Sequence, residues 1–374
     1  MNKSDLTRDY FMLEGPLSSQ GYDWWWHSFT GINDRNGEEK SFFIEFYTCN
    51  PALAKDTPIL GQLPAHQQNG IKPSYIMVKA GYWGTEAKQL HRFFPWSAVS
   101  IQNHPSFSIT ADDCYLSETK TTGSIVLTDS EVKEHPEYLC DSGTMKWDLT
   151  IQKRNAFHVG YGACKLFRKL NAFEMYWHAE GMKTLYEGTV TIGNDTYRIS
   201  PSTSYGYADK NWGSDFTSPW VWLSSNDLYS MNQKRELTNS VFDIGGGRPK
   251  AFGIPLNRKL LGEFFYEGKR YEFNFSKFWT FCRTKFKCTE TDTDIIWQVK
   301  QESATAMIKL EIHCKKEEML LVNYEAPNGK KLHNKLWNGG TGYGVIKLYK
   351  KHLNGPELVD TIIAKHVGCE YGEY

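Results

Sequence analysis

Apolar and polar residues alternate with a period of two in one short segment after another, and no other feature constrains the fold as much. Ser41–Thr48 is aromatic-laden and closes at Asn50-Pro51. Ser74–Trp83, Ser106–Leu116, Ser124–Asp129 and Met145–Lys153 follow. Later come Asn239–Ile244, Asp294–Gln301, Thr305–Lys315, Gly344–Lys350 and Leu358–Ala364. Two hairpins carry turn signals, Tyr186–Ile199 at Gly193-Asn194-Asp195 and Gly262–Phe273 at Glu267-Gly268-Lys269. The alternation in Ile308–His313 suits a strand with one face in water. A helix is expected only over Gly160–Glu174, where Cys164, Leu166, Phe167 and Leu170 give a partial apolar face. Residues 1–20 read as an irregular arm and Ala52–Pro73 as a long loop. Gly245-Gly246-Gly247 reads as a bulge or turn at a strand end. The fold class is therefore all-β.

A weak internal echo divides the chain. A tryptophan block, Trp24–Trp26, begins the first series of strands, and Trp212, Trp220 and Trp222 begin the second. Two antiparallel β-barrels in tandem are expected, residues 1–204 and 205–374. Closing each sheet would protect the edges of so many strands.

Composition excludes several functions. Lysine plus arginine equals aspartate plus glutamate at 43 each, so no overall basic field exists to attract nucleic acid. Aromatics form 15% of the chain, which suits β-structure and apolar cavities. The N-terminus lacks a signal peptide's apolar core, and no run of about 18 apolar residues occurs. The cysteines form no CxxC pair, and Cys282 and Cys288 have no histidine at zinc spacing. A cytoplasmic chain with reduced thiols is the expectation. No P-loop, GxGxxG or GxSxG motif is present. Neither metal nor cofactor is expected.

The densest chemistry lies in Tyr205–Leu223. Asp209, Lys210 and Asn211 are consecutive, Trp212-Gly213 follows, and Trp220 and Trp222 alternate around Val221. Such a run reads either as a structural clasp, with a lysine stacked on tryptophan, or as the polar wall of a ligand cavity.

The run Asp209-Lys-Asn-Trp-Gly213, with Phe216 and Trp220-Val-Trp222, resembles the E-K-N-W-G-x-x-F-P-x-x-W-x-W signature of tocopherol cyclases. Phe173-Glu174 and Trp177 resemble the F-E-x-x-W element before it. Trp26, Phe42 and Asn50-Pro51 resemble the family's N-terminal block, and Gly245–Gly247 and Tyr271-Glu-Phe273 its later elements. The resemblance implies two lipocalin-like barrels. It also implies a long, apolar, unsaturated substrate, whose prenyl double bond is protonated before a phenol oxygen captures the cation. Carotenoid 1,2-hydratases and fungal Diels–Alder cyclases are broader relatives of that fold. Asp209 stands where the family has glutamate, Thr217 where it has proline, and His27-Ser28 where it has Tyr-Phe.

Protonating an alkene needs an acid held in a dry cavity, where burial keeps a carboxyl protonated. Asp209 is the first candidate. If its neighbour Lys210 pairs with it, Asp209 stays ionised and structural; strand alternation would instead send the two to opposite faces. Glu174 and Glu45 are alternative acids. Glu174 also reads as a loop or helix-end charge, and Glu45, on one strand face with Phe43 and Tyr47, as a solvated position. Trp26, Tyr47, Trp177, Trp212 and Trp222 are candidate cavity walls, since aromatic faces stabilise a cation without reacting. Tyr207 would donate to a substrate oxygen and His178 would serve as base. Asn211 is expected to bond backbone groups, joining the two barrels. Asp209, Lys210, Asn211 and Trp212 are all expected where the barrels meet.

Two functions follow. One is a cofactor-independent cyclase, isomerase or hydratase acting on an apolar unsaturated or phenolic substrate, with transient membrane contact to collect it. The other is a lipocalin-like protein that binds a lipid or aromatic metabolite without chemistry.

Overall fold

The computed structural model describes residues 9–49, 75–158, 166, 170, 172–257, 259–325 and 331–373. The expected loop Ala52–Pro73 and most of the expected helix Gly160–Glu174 lie outside these residues. The described chain is almost entirely β-structure, in two twelve-stranded sheets and a two-stranded ribbon, Lys250–Ala251 with Ile254–Pro255. The helix Asp129–Glu134 follows the strand Lys120–Leu127, where a strand running on to Asp129 was expected. Its signal is a capping box. Thr128 Oγ1 accepts from Glu131 N, and the Glu131 carboxylate accepts from Thr128 N. The strand Arg283–Glu290 was not anticipated, and Lys331–His352 and Gly355–Gly372 run far beyond the segments expected there.

Each sheet curls so that its two ends are consecutive in the chain. The first ends at Lys88–Pro95 and Val99–Gln102, joined by the 3-10 turn Trp96–Ala98. Arg92 ties this edge to Asp112 and Asp113 and, at 3.2 Å, to Ser124 O. The second ends at Lys269–Phe273 and Arg283–Glu290, where Gln301 Nε2 donates to Leu260 O at 2.9 Å. Separate apolar cores fill the two barrels, around Trp25, Phe46 and Trp147 in the first and Phe242, Phe264 and Trp297 in the second. A third buried cluster, including Trp26, Phe43, Trp177, Tyr207, Trp220 and Trp222, fills the seam between them.

The passage between sheets falls at residues 214–219, not at residue 205. Gly206–Gly213, expected to open the second barrel, belongs to the first sheet. The short strand Asp195–Ile199 covers only one end of the gap between Tyr22–Asn33 and Met175–Ile192. Gly206–Gly213 fills the rest, from Tyr22↔Gly213 to Ser28↔Tyr207 on one side and from Met175↔Gly213 on the other. Without it, two buried rows of backbone donors and acceptors would lack partners.

Gly245–Gly247 ends the strand Val241–Gly247 and stays paired on both sides. Its role is close approach. A Cβ on Gly245 would lie 2.7 Å from the ring of Trp177, which reaches across the seam. Gly245→Ala should therefore displace Trp177 and cost about 1–3 kcal/mol, the usual penalty of overpacking. Urea unfolding followed by tryptophan fluorescence measures this, and a cost below about 0.5 kcal/mol, the scale of an indifferent site, would mean that the indole moves aside freely.

Candidate active site

Alternation along Gly206–Gly213 sends Tyr207, Asp209 and Asn211 into the seam and Lys210 and Trp212 to the opposite face. The four signature residues therefore do not meet at one place. Lys210 does lie on an aromatic face, with Nζ 3.8 Å from the Trp25 ring centroid and 5.5 Å from that of Trp212. Its partner is Asp23, one strand away, and not Asp209. Burial pushes Asp23 up to about 6, against the pull of the Lys210 ammonium. Trp212 is buried with Leu13, Leu17 and Tyr176 and stacks on Tyr176 at 5.6 Å. Both residues are parts of the first barrel's structure.

Asp209, freed of any lysine, is held from the seam side. Its Oδ2 accepts from Trp177 Nε1 at 2.7 Å and from Tyr207 Oη at 3.1 Å. Its Oδ1 is buried and, among the described residues, has no hydrogen-bond partner. Burial pushes the Asp209 carboxyl well above the carboxylate range, with the charge of Glu370 adding to it and the Trp177 bond opposing it. Tyr207 Oη also lies 3.1 Å from Asp243 Oδ2 in the second sheet, and Asp243 Oδ1 accepts from Trp222 Nε1 at 3.0 Å. One hydroxyl proton cannot serve two carboxylates. One of the two carboxyls must donate to the Tyr207 oxygen and so must itself hold a proton. Burial, together with the charge of Asp209, likewise raises Asp243.

Asp209, Asn211 and Glu370 share a small cavity of about 20 Å³ with Trp24, Trp26, Trp220 and Trp222. That is room for about one water molecule. Trp26 stands directly opposite Asp209 across the strands, and its buried Nε1 has no partner among the described residues. The cavity thus offers an acid and a donor, both unsatisfied, between indole walls. Glu370 Oε2 accepts from Trp220 Nε1 and its Oε1 from Asn338 Nδ2, both at 2.6 Å. Burial pushes Glu370 up to about 7. A second cavity, about 60 Å³, lies along the seam and includes Phe173, Met175, Trp177, Leu261 and Phe275; Trp220 lines both.

Of the residues singled out from sequence, Asp209, Asn211, Trp26 and Trp222 line the small cavity, and Tyr207 and Trp177 hold the acid. Tyr207 is engaged by carboxyls and is not turned toward a ligand. Asn211 does not bond backbone with its side chain as expected; its Oδ1 accepts from Tyr22 Oη at 2.6 Å. Tyr47 is buried in the seam beside Tyr22 and Trp24 but does not line the cavity. His178 faces into the first barrel, with Nε2 3.3 Å from Asp9 Oδ1, because it alternates with Trp177. Glu174 is half-buried away from Asp209, its carboxylate 3.2 Å from both the backbone N and Nζ of Lys250. Glu45 is fully buried and 3.1 Å from Lys79 Nζ, not solvated, because the second sheet covers its strand face.

Sequence reading placed Trp24 and Trp220 in its tryptophan runs but not among the cavity walls, and it passed over Asp243 and Glu370. Trp24 and Trp220 share the alternation of Trp26 and Trp222, which would have found them. Asp243 sits among Val241, Phe242 and Ile244, an apolar setting that marks a buried carboxyl. Nothing local distinguishes Glu370. Among the described residues no group of three or more His, Cys, Asp or Glu side chains stands where it could hold a metal ion.

A family model described as tocopherol cyclase-like matches residues 97–373. The Trp26 block lies outside that span. No curated protein matches the chain. Kievitone hydratase from Nectria haematococca is 14% identical, with 96% of this chain and 93% of that one covered and a TM-score of 0.44. A protein described as ATTH from Nitrosomonas europaea is 9% identical, with 92% of each chain covered and a TM-score of 0.43.

Proposed function

This chain belongs to the tocopherol cyclase-like family, and from that premise we propose an enzyme of the cyclase or hydratase kind that acts by proton transfer in the seam between its two barrels. The observation that carries this reading is the buried Oδ1 of Asp209, unpartnered among the described residues, in a cavity walled by four indoles. Asp209 Oδ1–H gives its proton to one carbon of a substrate double bond, and positive charge develops on the other. The faces of Trp24, Trp26, Trp220 and Trp222 stabilise that charge. A phenol oxygen of the same substrate, or a water, forms the new C–O bond and loses its proton to Glu370. The Trp26 Nε1–H orients that oxygen. Protons balance without an added reagent. Asp209 is then recharged by the proton that Glu370 took up, returned across the cavity the two carboxyls share, so that both groups end as they began.

The cavity is too small for a polyene, and even joined to its seam neighbour it would hold only about 80 Å³, so substrate entry requires the seam to open, with Trp220 and the other side chains between the two cavities moving aside. Incubation of the purified protein with prenylated quinols, carotenoids and other polyene lipids tests the reading. An isomeric or hydrated product, detected by mass spectrometry, is expected. A retained ligand with no turnover across these classes would leave a binding protein instead.

The pH profile follows from Glu370. As the base it must be ionised, so kcat/KM should rise with pH and level off above about 7. Glu370→Gln should remove that rise. A profile flat from pH 5 to 9 would assign the base elsewhere, the ordinary range of a carboxylate lying below this window.

A further inference from the structure

The outer face of the second barrel carries lysines in an unusual order. Lys285 lies directly opposite Lys300, Lys300 opposite Lys309, and Lys309 opposite Lys347, on four adjacent strands. Like charges directly opposite one another destabilise a sheet. Lys287 lies two residues along from Lys285 on the same face, and the five lysines line a shallow trough of about 610 Å³. Counter-charge is sparse. Glu302 lies 3.4 Å from Lys300, and Glu311 is taken up by Gln298 and His313. Among the described residues Lys285, Lys309 and Lys347 have no carboxylate partner. The whole chain is neutral, so this is a local concentration of charge.

At one end of the same strands, large apolar side chains stand in water. Phe281 is 74% exposed, Trp279 54%, and Leu353 is fully exposed at the tip of the hairpin joining Lys331–His352 to Gly355–Gly372. Hydrogen bonds from Ala304 N to Thr280 O and from Lys351 N to Thr305 O hold the three turns together. Leu358 is exposed on the adjoining strand. Exposed apolar groups clustered this way mark an interaction surface.

We infer that this end of the second barrel docks on an anionic phospholipid surface, with Phe281, Trp279 and Leu353 in the acyl boundary and the lysine row among the headgroups. Four steps along the chain take Phe281 to Lys285, at most about 13 Å at ~3.3 Å per residue, enough reach for the apolar tips to enter the acyl boundary about 5–10 Å deep while the lysines stay among the headgroups. Phosphates alone, as in nucleic acid, would use the lysines but give no role to the apolar tips. Such docking would bring an apolar substrate to the protein from the membrane that dissolves it.

Co-sedimentation with vesicles tests this without reading turnover, so its failure is separate from failure of the proposed catalysis. Binding is expected to vesicles of phosphatidylcholine with phosphatidylglycerol, to weaken at least tenfold in about 0.5 M salt, where screening is short-ranged, and to be weak on phosphatidylcholine alone. Replacing Lys285, Lys300, Lys309 and Lys347 together by glutamine should reduce binding to the anionic vesicles at least tenfold. Phe281→Ser with Leu353→Ser should weaken it several-fold at every salt concentration. The lysine variant should melt no lower than wild type, since it relieves repulsion; if it misfolds, Lys285→Gln with Lys347→Gln carries the same test. Equal binding to neutral and anionic vesicles, wild-type binding by the folded lysine variants, or binding to an oligonucleotide but not to vesicles would each overturn the inference.

Discussion

Asp209→Asn is expected to fold, retain ligand and lose turnover by about 10²-fold or more, the scale of a missing general acid. The substitution keeps shape and volume. Trp177 Nε1 and Tyr207 can still donate to the amide oxygen, which replaces Oδ2. What disappears is the proton at Oδ1 facing the four indoles. Kinetics, thermal melting and ligand retention together separate the outcomes. A variant that melts well below wild type would make Asp209 a structural clasp. A folded, fully active variant would move the acid to Glu370, the other carboxyl in the cavity. Glu174 is not the next candidate, because its carboxylate is engaged with Lys250 away from the indoles.

The second large effect lies on the other face of the same strand. Lys210→Met should destabilise the protein by about 3–5 kcal/mol at pH 8, because removing one partner of a buried pair strands the other. Asp23 would be left with the Met12 N–H at 2.7 Å but without its cation. Its carboxyl, already raised to about 6, would rise further. The sign follows. A raised carboxyl binds its proton more tightly folded than unfolded, so its ionisation costs stability as pH rises. The penalty of Lys210→Met should therefore shrink at pH 5, where Asp23 is protonated in the variant. Urea unfolding at the two pH values checks it, and a cost below about 1 kcal/mol at pH 8 would mean that the pair contributes no more than a surface ion pair.

The two substitutions change adjacent residues of one strand, one facing the seam and the other the opposite face against Trp25, and this is where sequence and tertiary structure divide the information. Alternation in Met145–Lys153 or Thr305–Lys315 records which face meets a core, so all-β structure could be read locally. The signature run was recognisable for the same reason, since its residue types are adjacent in the chain. Sequence adjacency misled where it stood for spatial adjacency. Lys210 and Trp212 were grouped with Asp209, and His178 with Trp177, yet the pleat separates each pair onto opposite faces. Glu45 read as solvated because a strand pattern does not reveal that a second sheet covers its outer face. Gly245–Gly247 read as a turn because the ring that requires a missing Cβ comes from Trp177, far away in the chain. By itself the sequence determined the β-class and the family signature, both properties of near neighbours along the chain. Only the tertiary structure decided which carboxyls meet, because Glu370 shares the cavity with Asp209 and Asp243 meets it through Tyr207, both from the other barrel, and long-range packing leaves no local pattern to read.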